Sequence, residues 1–274
     1  MDRSARAYWD LLAARWRFSA PLSPPPEDIA WYRGRVSEIA RGGGGVRVLM
    51  LGVTPAIASM AWPSGIDLVA ADWSVPMLTG VWPRAGAPAG ALRAGADWRQ
   101  LPWPAGTFEA AVGDGCYTAL ASLADYRLLN VELARILKPG GRVVMRCFCR
   151  PTPRLEPGPL FEQLLSGEIA SLDLFRFLLA MAMYEDSRSA LTRREVWQAW
   201  ARRVPDARAL QARLGWSDDE IANMQRNAAS DHSFCFPTLD ELLDVAREHF
   251  DVVDRELPGY AWGRLFPRLT LRAR

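Results

Sequence analysis

Lysine is all but missing from this 274-residue chain: Lys138 stands alone against 32 arginines. Together with plentiful Ala, Gly and Pro, that skew reads as the coding bias of a GC-rich genome, so single arginines carry little weight. Histidine occurs twice, as His232 and His249, and cysteine four times, as Cys116, Cys147, Cys149 and Cys235. No CxxC pair and no dense cysteine framework is present, which argues against a disulfide-stapled secreted domain. Cys147 and Cys149 make only a C-x-C step, poor spacing for zinc even with His232 and Cys235 added, so no metal site is expected. Long apolar runs are lacking too. The stretch from Leu172 to Met183 is broken by Asp173 and Arg176 and is too short to span a bilayer. The first twenty residues carry Asp2, Arg3, Arg6, Asp10, Arg15 and Arg17, unlike a secretory leader. These absences predict a soluble cytoplasmic protein with reduced thiols. Net charge is +2 and scattered. Arg193-Arg194 and Arg202-Arg203 have acids nearby and read as solvated helix faces. Without a concentrated basic face, nucleic acid is not an expected partner.

What is present is a foldable composition, 50% hydrophobic and 23% charged, with 12 tryptophans that need a physical destination. Tyr8, Trp9, Leu12 and Trp16 fall at helical spacing within 5–16. Pro21, Pro24, Pro25 and Pro26 break that helix, and a second runs from about Glu27 to Ala40. After the RGGGG connector at 41–45 the pattern changes. Short aliphatic runs at 46–51, 67–71, 91–94, 108–112 and 142–148 read as buried strands. Helical segments at 56–60, 75–82 and 126–137 separate most of them, the last stopped by Lys138-Pro139-Gly140-Gly141. Alternation of this kind implies a parallel sheet with helices on both faces. From Arg150 to Phe236 the strand signal vanishes and helices are expected at 160–166, 172–184, 193–202, 207–214 and 218–226. Thr238 with Glu241 reads as a capping box. Two closing strands follow at 250–257 and 265–271, expected to be antiparallel about Pro258-Gly259.

In an open α/β sheet, ligands bind beyond the carboxyl ends of the strands. Asp72 ends the second strand 20 residues after Gly52, about the spacing at which a carboxylate accepts from a ribose diol. Capping the helix after Ser74 is the bland alternative for the same side chain.

Four segments, in order, carry a family resemblance. VRVLMLG (46–52) reads as a first strand with its glycine turn. DLVAADWSVPML (67–78) reads as a second strand ending in an acid. ADWRQLPWPAGTFEAAV (96–112) supplies an acid, an LP-aromatic-P turn and a fourth strand. ELARILKPGGRVVM (132–145) is the most specific, a helix-to-strand junction. In these the chain resembles the class I S-adenosylmethionine-dependent methyltransferases. The resemblance implies an α/β, Rossmann-like doubly wound seven-stranded sheet with its last strand antiparallel. It also implies S-adenosyl-L-methionine as cofactor and S-adenosyl-L-homocysteine as product. Domain bounds follow as N-terminal helical lid (1–45), cofactor-binding core (46–150), helical cap insert (151–237) and closing helix and strand pair (238–274).

On that resemblance Asp72 binds the ribose, Asp97 accepts the adenine amino group, and Trp98 bounds the adenine. Trp73 and Met77 pack its other face, and Asp114 with Gly115 lines the methionine arm. The first motif departs from the pattern: Gly52 is the only glycine in Gly52-Val53-Thr54-Pro55. Val53 cannot easily take a positive φ, and Pro55 brings no amide donor. Either this loop holds the cofactor in a different geometry, or the pocket serves something else.

Candidate acceptor-side groups are few. His232, in the return from the insert, is a possible base with Asp231 to orient it. His249 ends a surface helix. Tyr117 and Asp114 follow the fourth strand. Aromatic side chains in the lid and insert (Trp9, Trp16, Trp31, Tyr32, Trp197, Trp200 and Trp216) suit a planar small molecule or simply pack helices onto the sheet. The expected activity is methyl transfer to an oxygen or nitrogen nucleophile of a small aromatic or heterocyclic metabolite. Non-methylating chemistry on this scaffold, such as demethylation or cyclisation, and noncatalytic binding of S-adenosylmethionine or a metabolite are the alternatives.

Overall fold

Seven strands pair into one sheet in the computed structural model of the chain, which describes residues 3–14, 16–186 and 190–274. In chain order the elements are α1 (Arg3–Ala13), α2 (Pro26–Ala40), β1 (Val46–Leu51), α3 (Pro55–Ala58), β2 (Ile66–Asp72) and β3 (Leu92–Gly95). Then come β4 (Phe108–Asp114), α4 (Leu123–Ile136), β5 (Leu137–Arg146), α5 (Pro157–Ser166) and α6 (Leu172–Met183). The rest are β6 (Leu191–Thr192), α7 (Arg193–Arg203), α8 (Ala207–Leu214), α9 (Asp218–Arg226), β7 (Ser233–Phe234), α10 (Leu239–Ala246), β8 (Phe250–Glu256) and β9 (Arg268–Ala273). The sheet order is β3-β2-β1-β4-β5-β9-β8, parallel from β3 to β5, with β9 antiparallel to both neighbours. This is the doubly wound, Rossmann-like arrangement, and its reversal of strand order beside β1 opens a crevice at the carboxyl ends.

Alternation along the strands divides the core between two faces. Val48 and Met50 of β1 point with Leu68, Ala70, Ala110 and Val112 toward Tyr32 and Val36 of α2. Leu49 and Leu51 point with Val69, Ala71 and Ala111 to the opposite face, where Tyr126, Leu129 and Leu133 of α4 and most of the helices from 157 onward pack. Burial on both faces is why these strands read as unbroken aliphatic runs.

Local signals fix most element ends. Pro26 opens α2 and Glu27 and Asp28 sit in its first turn. Capping boxes start α7 at Thr192/Glu195, α9 at Ser217/Glu220 and α10 at Thr238/Glu241. The structure departs from expectation in several places. Residues 77–84 form a π turn and a 3-10 turn instead of an α-helix: Trp82 N bonds back to Met77 O, and Pro83 follows with no amide to continue a ladder. Strand β5 begins at Leu137, absorbing 138–141 as a register shift opposite Phe108/Ala110. It ends at Arg146, because Cys147 N and Cys149 N donate to the carbonyls of Pro267 and Leu265. Strand β9 starts later than expected, after Pro267. The segment 150–236 is not strandless: Leu191 pairs with Phe234 and Thr192 with Ser233, joining the start of α7 to the end of the helical segment. Two residues per strand are too few to show alternation. Helix α1 ends at Ala13, before the expected Trp16, and Arg15 lies outside the described residues. Among the described residues, no helix is long and apolar enough to cross a membrane.

Where β4 and β5 end, one buried guanidinium joins five segments. Arg146 donates from Nε and Nη2 to the two Asp114 carboxylate oxygens at 2.5 and 2.9 Å. Its Nη1 reaches Asp28 of α2 at 3.0 Å, the Pro21 carbonyl at 2.6 Å and the Tyr260 hydroxyl at 3.3 Å. Nη2 also donates to the Leu22 carbonyl at 3.0 Å. Burial opposes the charge, but the Asp114 carboxylate outweighs it and drives the Arg146 pKa up. Arg146→Met leaves the buried Asp114 carboxylate facing apolar atoms and Asp28 to Arg268 and Tyr260, and should cost about 3–5 kcal/mol in urea unfolding. Arg35, half-exposed on Asp254 and Glu256, should cost less than about 1 kcal/mol when changed to Ala. Equal effects at the two positions would refute this ranking.

Candidate functional site

The crevice beside β1 is built on one glycine. Gly52 turns the chain at φ +75°, and a Cβ there would meet the Trp98 ring at 3.2 Å. Close approach and left-handed backbone therefore both require glycine. Val53 needs no positive φ, since its amide simply donates to Asp72 Oδ2 at 3.2 Å. Pro55 occupies the first turn of α3, where a missing N–H goes unused. The turn that looked glycine-poor is thus a single glycine followed at once by a short helix.

Asp72, at the end of β2, accepts from Val53 N and, at 2.9 Å, from Ser74 N. Burial pushes its pKa up to about 6 despite these amides, with Asp10 adding to the rise. Trp98 is anchored by its indole N–H on the Ala71 carbonyl at 2.8 Å, so its ring forms a fixed wall. A first chamber of about 450 Å³ gathers Gly52, Val53, Thr54, Asp72, Trp73, Met77, Trp98, Asp114 and Gly115. A second, about 670 Å³, lies beside it between the sheet and the helical segment. Trp9, Trp16, Thr54, Asp114 and Gly115 wall both, while Phe18, Phe148 and Phe177 line the second alone. Gly115 also takes a positive φ of 61°, and a Cβ there would touch the Phe148 ring at 3.0 Å.

Other expected site residues stand elsewhere. Asp97 lies off both chambers, held through both carboxylate oxygens by Arg99, which bridges on to Asp125. Asp114 borders the chambers with both carboxylate oxygens accepting from Arg146, although burial raises its pKa. Tyr117 is buried in the core: its hydroxyl donates to Asn130 at 2.5 Å and its ring packs on Tyr126. His232 is buried with its ring 6.4 Å from that of Tyr8 and lines neither chamber. Asp231 is turned outward onto Arg194 at 2.9 Å, away from any orienting role. Pro55 reaches only the second chamber. Trp31, Trp197, Trp200 and Trp216 pack helices and reach no chamber wall; Trp31 donates to Glu256 and Trp216 to the Ala170 carbonyl. No group of three or more metal-ligating side chains occurs among the described residues.

Among the wall residues that escaped the sequence reading, three are joined by hydrogen bonds. Tyr8 of α1 receives hydrogen bonds from Arg176 at 3.1 Å and Arg193 at 3.4 Å, and all three line the second chamber. Burial raises the Tyr8 pKa, but the two arginines outweigh it and bring it below the ordinary value. Arg193 is buried, contrary to its reading as a solvated helix face. The available signal was Asp173 with Arg176, two opposite charges one turn apart in an otherwise apolar helix.

No protein-family model matches the chain. Among curated relatives, a demethylmenaquinone methyltransferase from Mycolicibacterium gilvum (strain PYR-GCK) is 28% identical over 233 residues, 84% of this chain and 93% of the relative. Among solved structures, the 1,6-didemethyltoxoflavin-N1-methyltransferase of Burkholderia thailandensis, with bound 1,6-didemethyltoxoflavin and S-adenosylhomocysteine, superposes with a TM-score of 0.55. It is 14% identical and covers 98% of this chain and 87% of its own. A Rhodobacter sphaeroides protein provisionally named a Zn-dependent alcohol dehydrogenase has a TM-score of 0.64 at 14% identity, covering 100% of both chains. At such identities these two likenesses speak to the fold alone.

Asp72 carries a measurable consequence. Its folded-state value of about 6 lies above the model-compound 3.8, so folding takes up a proton and this group favours the folded state most at low pH. Between pH 7 and pH 4, wild type should gain up to about 3 kcal/mol relative to Asp72→Ala in urea unfolding. A difference that stays constant across this window would show that Asp72 titrates at its ordinary value.

Proposed function

Since the chain belongs to the class I S-adenosylmethionine-dependent methyltransferase family, we propose that it transfers the cofactor's methyl group to an oxygen or nitrogen of a small aromatic or heterocyclic acceptor. The observation that carries this reading is the pair of chambers joined across Thr54, Asp114 and Gly115. One is floored by the glycine turn and Asp72, and the other is walled by aromatic rings. The demethylmenaquinone in the name of the curated relative supports a small-molecule acceptor.

Residues of the first chamber fit the cofactor. The Asp72 carboxylate can accept from vicinal ribose hydroxyls while its backbone donors keep it in place. The Trp98 ring lies against Gly52, where a side chain would fill the cradle, and Met77 offers a soft apolar contact. Asp97 would have to leave Arg99 to serve the adenine amino group. S-adenosylmethionine, when bound, supplies a methyl on a sulfonium centre, ready for in-line displacement. The chain's contribution is then to hold the acceptor against that carbon and to exclude water, which alone can supply a large part of the rate. Trp9 of α1 and Trp16 just beyond it are placed for both, walling the two chambers.

Calorimetry with S-adenosylmethionine and S-adenosylhomocysteine, followed by turnover assays on phenols, amines and heterocycles, tests the proposal. Both cofactor forms should bind, and Asp72→Ala should weaken S-adenosylhomocysteine by about 1–3 kcal/mol. Because the carboxylate must be ionised to accept both hydroxyls, affinity should drop as pH falls through about 6, and that dependence should vanish in the variant. Failure of both cofactor forms to bind would reject the assignment. Binding without methylation of any acceptor would favour the noncatalytic alternative.

A further inference from the structure

The second chamber contains a buried cation without a carboxylate. Arg193, at the start of α7, is 3% exposed, and its guanidinium lies 4.1 Å from the centre of the Tyr8 ring and 4.1 Å from that of Phe234. Among the described residues its side chain makes one hydrogen bond, the 3.4 Å contact to the Tyr8 hydroxyl, and its Nε has no partner. No ion pair to it occurs among those residues. Its neighbour Arg176 is different, because Asp173 meets that charge at 3.3 Å and is itself held by Asn223 at 2.9 Å. The cluster therefore sets two guanidinium groups against one carboxylate. Burial, reinforced by Arg176, lowers the Arg193 pKa to about 10 even though Tyr8 pulls the other way. A buried, uncompensated charge is costly, and a chain normally pairs it or replaces it. Here it lines a cavity open to a ligand.

We propose that the acceptor is an aromatic or heterocyclic carboxylic acid whose carboxylate is received by Arg193, with Arg176 beside it. This rests on the methyltransferase reading and narrows its substrate class. A guanidinium presents parallel N–H donors that match a carboxylate, and stacking between two rings fixes the plane in which Arg193 offers them. Arg176 and Arg193 belong to the helical segment, whereas Asp114 and Gly115 belong to the wall shared with the cofactor chamber. The carboxylate is thus an anchor on one wall, and the methylated atom belongs to the part of the ring system that reaches the other.

The test uses the full chain saturated with S-adenosylhomocysteine and three probe pairs: benzoate, naphthalene-2-carboxylate and quinoline-2-carboxylate, each against its primary amide. At least one carboxylate should bind ten-fold or more tighter than its amide in calorimetry. Arg193→Gln should remove most of that preference while leaving S-adenosylhomocysteine affinity within two-fold, and Arg193→Lys should restore part of it. Equal binding of acid and amide in all three pairs overturns the proposal, and needs no variant to fold. So does a preference that survives in Arg193→Gln. S-adenosylhomocysteine affinity is read separately, so its loss in wild type would count against the methyltransferase reading and not against the carboxylate site.

Discussion

A guanidinium sealed from water must find every acceptor and its counter-charge within the chain, and at Arg146 meeting that demand holds the carboxyl end of the sheet together. The side chain leaves β5 and collects Asp114 from β4, Asp28 from α2, two carbonyls from the proline-rich connector and Tyr260 from the loop between β8 and β9. The main chain joins in, because Arg146 N donates to Tyr32 Oη, which donates in turn to the Gly113 carbonyl at 2.6 Å. Arg268 adds a second contact to Asp28. Lysine, with three donors on a point charge, would not span these partners. In this sense the arginine skew of the composition is neutral at most positions and structural at this one.

The same arrangement explains what Asp114 does. An acid at the end of the fourth strand of such a sheet stands at the mouth of the crevice, yet a carboxylate bound at both oxygens to a buried guanidinium is already satisfied. It shapes the wall, while the Arg146 carbonyl accepts from Gly115 N at 2.9 Å at the junction of the two chambers. The titratable groups facing the second chamber come instead from α1 and the helical segment.

Much of the scaffold was legible because its causes are local. Unbroken aliphatic runs marked β1, β2 and β4, prolines and capping residues marked α2 and α10, and the spacing from Gly52 to Asp72 placed the first chamber. Side chains whose meaning depends on distant partners were not legible. Arg193 next to Arg194 looks like a solvated pair, and only the folding of α7 against Tyr8 and Phe234 buries one of them. Tyr117 follows the fourth strand as a site residue might, but Asn130, one element on, draws its hydroxyl into the core. His232 and Asp231 are adjacent in sequence, yet one is buried near Tyr8 and the other is exposed on Arg194. Residues 77–84 were misjudged for a local reason, the proline that interrupts them.

Helix α1 touches both halves of the site at once. Trp9 and Trp16 wall the two chambers together, and Asp10 between them accepts from Ser74 Oγ at 2.6 Å, just beyond Asp72. On the proposed reading, variation at these positions acts on donor and acceptor sides simultaneously, which makes them poor places for evolution or design to adjust one alone. Of the rings that wall the larger of the two chambers, Phe18 packs on Trp16 and Phe148 on Gly115, both in the shared wall, whereas Phe177 stands clear of that wall. On the proposed reading, a lineage exploring new acceptors can change its ring contact at Phe177 with the least disturbance to the half of the site that every acceptor shares.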